Sequence, residues 1–212
     1  MISGYLDPLA PMHFFTLHHR IPYLEKGKDI PMGKKYQLPS TEPFLGEDHF
    51  AEAYASWNES GIKLRFIVSK PFETAVYPQF TQGDAIELFV DTRDLKDTGF
   101  ATRFCHHFLI LPQEVQGVRA LELSHFRAED SHPLCEPDLI ITQFMESSKE
   151  YFVEITLPLE VLYGFDPTQF DKLGLTYTVH RPKGKPQHFT LSSSYVTIGA
   201  NPSMWSSCHL IK

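Results

Sequence analysis

The sequence lacks the marks of a membrane protein, a nucleic-acid-binding protein or a disulfide-rich domain. Its 212 residues contain no apolar run of about 18 residues, so we predict no membrane partner. The net charge of −7 leaves no basic stripe for a phosphate backbone, so we predict no nucleic-acid partner. The three cysteines have no paired spacing, and the first residues resemble no classical secretion signal. We therefore expect a cytoplasmic protein, with export through a non-cleaved signal as the open alternative.

The sequence also lacks the common catalytic motifs. It contains no G-x-S-x-G elbow, no phosphate-binding Walker loop and no dinucleotide fingerprint. Glu87 and Asp91 lie four residues apart on one predicted strand, a separation of about 13 Å, which is too long for a glycosidase carboxylate pair. These observations favour a protein that is not an enzyme and leave the question open.

Short segments of alternating or apolar residues are abundant, and turn residues separate them. Hydrophobic residues make up 42% of the chain, with 17 Phe to fill a core. The pattern predicts an all-β fold, an antiparallel β-sandwich of the jelly-roll type with about ten strands, and one short helix that begins at Pro158. The predicted strands fall within residues 12–18, 49–70, 84–91, 101–111, 117–126, 138–145, 151–157, 173–181, 188–192 and 204–212.

The first 48 residues differ in composition from the rest. After the first predicted strand, residues 20–48 are rich in proline and lysine and show no sustained period. We predict that residues 1–48 form an N-terminal strand and a long surface segment packed on a sandwich of residues 49–212. The sequence predicts no role for that segment.

Two strands in the middle of the chain have the most informative patterns. Residues 84–91 place Ile86, Leu88 and Val90 on one face, and Ala85, Glu87, Phe89 and Asp91 on the other. Residues 101–111 are apolar on both faces, which is typical of a central strand.

The order of these pieces resembles the family 9 carbohydrate-binding module and the related DOMON-like domains. The strand pattern D-x-hydrophobic-E, followed by three hydrophobic residues and D, is matched by Asp84, Glu87 and Asp91. A second pattern, in which a strand ends at proline, is matched by Tyr151, Val153, Glu154 and Pro158. The resemblance covers roughly residues 45–211 and implies a β-sandwich that binds saccharides.

The resemblance also implies a type of binding site, in which aromatic rings stack on pyranose faces and polar side chains hydrogen-bond the hydroxyls. Trp57 precedes a turn, and Trp205 follows Asn201-Pro202-Ser203, where we expect an exposed ring. Arg103 is expected beside Asp91 if their strands pair. The predicted ligand-binding residues are Trp57, Trp205, Arg103, Asp91, Glu87 and Tyr177.

Metal sites form a separate set of predictions. Cys105 and His107 share one face of a strand, and His125 or His180 is a candidate third ligand for a transition metal. Calcium sites occur in some relatives of the resembled family, and Asp91, Asp94 and Asp97 have an acidic spacing that would suit one. A histidine buried in the core and a solvated acidic loop are the simpler interpretations of these two patterns.

Three functional hypotheses follow, in order of preference. The first is a non-catalytic protein whose partner is a saccharide. The second is a structural or protein-interaction module, with a protein partner, that has lost sugar binding. The third is a metal site around Cys105 and His107.

Overall fold

The computed structural model describes residues 17–123, 126, 129–193 and 196–212. Two β-sheets pack face to face, which confirms the predicted β-sandwich. The strands are β1 His18–Pro22, β2 Ala51–Asn58, β3 Gly61–Val68, β4 Ala85–Asp91, β5 Cys105–Val115, β6 Val118–Glu122, β7 Ile141–Glu146, β8 Tyr151–Pro158, β9 Lys172–His180, β10 Gln187–His188 and β11 Ser206–Ile211. The one α-helix among the described residues, α1, spans Glu42–Leu45.

The larger sheet has seven strands in the order β1-β11-β9-β4-β5-β6, with β10 paired to β9. The smaller sheet has the order β2-β3-β8-β7. Adjacent strands are antiparallel except β1 and β11, which are parallel. The central place of β5, between β4 and β6, agrees with its two apolar faces.

The core between the sheets is built by the alternation that the sequence predicts. Every second residue of β3, β4 and β9 points into it, and all of these are nearly inaccessible to solvent: Ile62, Leu64, Phe66, Val68, Ile86, Leu88, Val90, Leu173, Leu175, Tyr177 and Val179. Apolar burial of this extent is the main stabilising contribution in a fold of this size.

The turn between β2 and β3 requires its glycine. Gly61 has a φ of 140°, and a Cβ there would lie 2.1 Å from the carbonyl oxygen of Leu157. The Asn58 side-chain oxygen accepts the backbone N–H of Ser60 at 2.8 Å. The turn predicted from Asn58-Glu59-Ser60-Gly61 is therefore confirmed.

The structure gives the positions of two predicted local elements. The short helical turn predicted at Pro158 is present as a single 3₁₀ turn, Leu159–Val161, and the α-helix α1 lies in the N-terminal segment. The first strand is His18–Pro22, while most of the predicted strand, residues 12–16, lies outside the described residues. No helix in the described part of the chain has the length and apolar character needed to cross a bilayer.

The N-terminal segment covers part of the outer face of the smaller sheet. Ile30 is buried there, and its carbonyl oxygen accepts a hydrogen bond from Nη1 of Arg65 at 2.9 Å. The Lys63 ammonium donates to the carbonyl of Lys28. Both cations also form ion pairs with Glu154, so Arg65 is paired on this face of the sheet. As a result, the chain itself covers part of that outer face, around Lys63 and Arg65, whereas Ile141 and Met145 of β7 stay exposed on it.

Candidate functional site

The outer face of the larger sheet carries a strip of three polar side chains across its centre. Glu87 lies in the middle of β4 and points away from the core, as its strand pattern predicts. His107 on β5 and His180 on β9 lie diagonally across from it, because Phe89 pairs with His107 and Ala85 pairs with His180. We call Glu87, His107 and His180 the outer triad.

The carboxylate of Glu87 binds both imidazoles, one with each oxygen. Oε2 is 2.7 Å from Nε2 of His107, and Oε1 is 2.6 Å from Nε2 of His180. The three side chains are 15%, 17% and 10% exposed, respectively. The triad is therefore held rigidly by the sheet and remains in contact with solvent.

The pKa of Glu87 shows how strongly the two imidazoles act on it. Burial alone would raise this pKa, but the hydrogen bonds from His107 and His180 outweigh burial and lower the pKa to about 2. Glu87 therefore remains a carboxylate at neutral pH and accepts hydrogen bonds.

Aromatic rings and apolar clusters border the outer triad. Phe89 stacks on the His107 ring with a centroid distance of 4.0 Å, and Phe80 meets His180 edge-on at 5.9 Å. Phe89 itself belongs to an apolar cluster that contains Trp205. A second apolar cluster on the same face contains Leu109. The face thus combines fixed hydrogen-bonding groups with apolar borders, as small-molecule sites commonly do.

A second group of one glutamate and two histidines lies on the inner side of the same sheet. Oε1 of Glu122, at the end of β6, is 2.7 Å from Nδ1 of His106 and 2.8 Å from Nε2 of His132. We call Glu122, His106 and His132 the inner triad. Its ligand-type atoms lie within 4.8 Å of one another, and all three residues are buried.

Three aromatic residues of the predicted binding set are buried. Trp205 is fully buried beside Phe89, and its indole N–H donates to the carbonyl of Ile198 at 3.0 Å. Trp57 is 4% exposed and donates to the carbonyl of Ile211. Tyr177 packs in the core between Phe66 and Phe189. The expectation that Trp205 is exposed is wrong, and none of the three rings offers a free face for stacking.

Arg103 and Asp91 do not pair with each other. The Arg103 side chain is half exposed, and its Nε lies 2.6 Å from Oδ1 of Asp130. Asp91 is buried at the end of β4, where its two oxygens accept the backbone N–H groups of Arg93 and Leu95. The predicted contact is wrong because Arg103 precedes β5, and Asp91 shapes the loop that follows its own strand.

The acidic loop is held by contacts within the protein. Asp94 accepts the Ser207 hydroxyl at 2.6 Å and lies 2.8 Å from the Lys96 ammonium, while Asp97 is exposed. Within the described residues, Asp91, Asp94 and Asp97 do not form a group of converging ligands. The calcium site stays a prediction.

Cys105 and His107 face the same side of β5 but have different surroundings. The Cys105 thiol is buried in the apolar cluster with Trp205, and burial is the main cause that raises its pKa to about 12. His107 binds Glu87, which it shares with His180, one of the two proposed third ligands. His125, the other, lies outside the described residues. Within the described residues, Cys105 and His107 do not belong to a group of three converging ligand-type side chains, and the metal site around them stays a prediction.

The ends of the strand pattern D-x-hydrophobic-E have structural roles. Asp84 is fully buried, accepts the backbone N–H groups of Glu73 and Thr74, and accepts the Tyr151 hydroxyl. Glu87 is thus the acidic residue of this pattern that reaches an accessible surface. His180, which the sequence offers only as a candidate metal ligand beside His107, instead shares the Glu87 carboxylate with His107.

Two solved structures have a similar fold. A family 9 carbohydrate-binding module from Caldicellulosiruptor kristjanssonii in complex with cellotriose has a TM-score of 0.61 and 12% identity, over 92% of this chain and 93% of that chain. The module from the same organism in complex with glucose has a TM-score of 0.60 and 12% identity, over 90% and 95%. No protein-family model matches the sequence, and no curated protein matches it. The chain therefore has the fold of family 9 carbohydrate-binding modules, which confirms the fold that the strand order implies.

Proposed function

We propose that this protein binds a saccharide, without catalysis, at the outer triad and its aromatic borders. The observation that carries the proposal is the partly exposed Glu87 carboxylate, fixed between two imidazoles on a sheet face. Fixed planar acceptors and donors suit sugar hydroxyls, which donate and accept hydrogen bonds in defined directions. The similar modules were solved with cellotriose and glucose, so gluco-oligosaccharides are the first ligands to test.

The arrangement of carboxylates supports binding rather than hydrolysis. Glycosidases use two carboxyl groups that flank the scissile bond. On the outer face of β4, the Glu87 side chain is partly exposed, whereas Asp91 is buried and accepts the backbone N–H groups of Arg93 and Leu95. Glu87 and Asp91 therefore do not form such a pair.

Calorimetric titration with glucose, cellotriose and other short oligosaccharides tests the proposal. We expect the wild-type chain to bind one of them and Glu87→Ala to bind it at least about tenfold more weakly, because a charged acceptor is lost. Glu146→Ala, which makes the same change at an exposed carboxylate on edge strand β7, is the matched control and should keep the wild-type affinity. Absence of binding by the wild-type chain would contradict the proposal.

A second proposal, that the protein docks a protein partner, is supported by the edge strand of the smaller sheet. Ile141 and Met145 on β7 are 53% and 59% exposed, and nearby Leu139 is 42% exposed. An exposed apolar edge is a common docking surface. Light scattering of the wild type and of Ile141→Lys with Met145→Lys tests it. A monomer in both cases, without capture of a partner, counts against this second proposal.

A further inference from the structure

The inner triad has a different pattern of hydrogen-bond partners from the outer triad. Both histidines approach a single oxygen, Oε1 of Glu122, at 2.7 and 2.8 Å. The other carboxylate oxygen, Oε2, accepts the backbone N–H of Cys135 at 3.0 Å. The side chains of His106, Glu122 and His132 are 0%, 1% and 6% exposed, so all three are shielded from bulk solvent.

Each histidine of the inner triad also uses its second ring nitrogen. Nε2 of His106 lies 3.3 Å from the carbonyl oxygen of Tyr163, and Nδ1 of His132 lies 2.6 Å from the carbonyl oxygen of Arg103. A carbonyl oxygen accepts only, so each of these nitrogens carries a proton. A neutral imidazole has one N–H, and the nitrogen that faces Glu122 then presents a lone pair.

With neutral imidazoles, two lone pairs and a carboxylate oxygen converge on one buried point. Such a group of acceptors requires positive charge among them, which is either a second proton on each ring or a metal ion. Backbone carbonyls behind metal-binding histidines are the usual arrangement that fixes the ring orientation. From this geometry we propose that Glu122, His106 and His132 bind a divalent transition metal ion, with Zn²⁺ as the representative ion.

The donor set explains the choice of metal. Two imidazoles and one carboxylate are typical ligands of zinc and its neighbours, with bonds of about 2.0–2.2 Å. Calcium prefers six to eight oxygen ligands, and this group offers one carboxylate. His132 belongs to the segment between β6 and β7, whereas His106 and Glu122 lie on β5 and β6. The ion would thus attach that segment to the sheet.

Metal content and metal affinity of the untagged full-length chain test the proposal. We expect the chelator-treated protein to bind one equivalent of Zn²⁺ in calorimetry and elemental analysis, and Co²⁺ to give the visible spectrum of a ligated ion. Glu122→Gln keeps the size of the side chain and should weaken Zn²⁺ binding by about 100-fold or more. Glu87→Gln makes the same change in the outer triad and should retain one equivalent of Zn²⁺.

Each outcome decides for or against the site. A wild-type chain that binds no Zn²⁺ overturns the proposal and indicates that a second proton on each ring holds the inner triad together. Retention of Zn²⁺ by Glu122→Gln, or its loss in Glu87→Gln, also overturns it. If Glu122→Gln does not fold, His132→Ala replaces it, because His132 lies outside the strands.

Discussion

The outer and inner triads have the same composition, one glutamate and two histidines, on opposite faces of one sheet. In the outer triad each imidazole binds a different carboxylate oxygen, whereas in the inner triad both approach the same oxygen. Within the described residues, Nδ1 of His107 and of His180 makes no hydrogen bond, but both second nitrogens of the inner triad contact carbonyls. The residue types in such a group therefore do not determine its role. Its hydrogen-bond partners and its solvent exposure do.

The largest expected difference is in stability. Glu122→Ala leaves two buried imidazoles facing each other without a carboxylate and should lower the free energy of unfolding by about 3–5 kcal/mol. Glu87→Ala should cost about 2 kcal/mol, because water reaches the outer triad and replaces part of the lost interaction. Urea unfolding of both variants and the wild type measures the difference between these two losses of stability.

Added Zn²⁺ should widen the difference in destabilisation between Glu122→Ala and Glu87→Ala. A ligand that binds only the folded wild type raises its stability, so added Zn²⁺ should increase the cost of Glu122→Ala and leave the cost of Glu87→Ala unchanged. Equal costs for the two variants, with and without Zn²⁺, would contradict the distinction between the triads.

The next prediction concerns pH and the outer triad. The hydrogen bonds from His107 and His180 outweigh the effect of burial and lower the pKa of Glu87 from 4.5 to about 2. A lowered carboxyl pKa contributes stability that is present above the unfolded value, near pH 4.5, and lost as the pH falls towards 2. The wild type should therefore lose about 3 kcal/mol more than Glu87→Gln over this interval.

Carboxyl chemical shifts in NMR provide the direct measurement for this pH prediction. The Glu87 carbon should titrate near pH 2 in the folded chain, below the ordinary glutamate pKa of 4.5. A Glu87 carboxyl that titrates at its ordinary value would show that His107 and His180 do not hold it, and the saccharide proposal would lose its fixed acceptor.

A smaller, spectroscopic effect distinguishes the two pairs of histidines. On addition of Zn²⁺, the imidazole nitrogens Nδ1 of His106 and Nε2 of His132 should shift in ¹⁵N spectra, because these atoms face the ion. His107 and His180, on the opposite face, should keep their shifts. Shifts at His107 or His180 instead would place the ion at the outer triad and remove the basis of the comparison.

The sequence predicts the faces of the strands well, because alternation reports burial directly. The inward positions of β3, β4 and β9, and the outward position of Glu87, follow from the printed residues alone. The role of β6 was harder to predict, because Leu121 packs on the outer face while Ala120 and Glu122 point inward.

The remaining features depend on loops that no period describes. Trp205 looked like an exposed residue, but the chain around Ile198 and Leu191 packs against it and buries it. Likewise, His132 reaches the inner triad from an irregular segment, ten residues after Glu122. A single sequence contains no local signal for such a contact, so the inner triad became recognisable only in three dimensions.

The smallest expected effect concerns the side chain of Arg103. Its backbone carbonyl orients His132 in the inner triad, whereas its guanidinium is half exposed and binds Asp130. Arg103→Ala removes the guanidinium and keeps the carbonyl, and exposed ion pairs contribute little to stability. Zinc affinity, measured by calorimetry, should therefore change by less than about twofold. Removal of a group that orients a metal ligand typically lowers metal affinity by about 10- to 100-fold. A tenfold loss would mean that the guanidinium, through Asp130, holds the segment that carries His132, and that the carbonyl alone does not fix the ring.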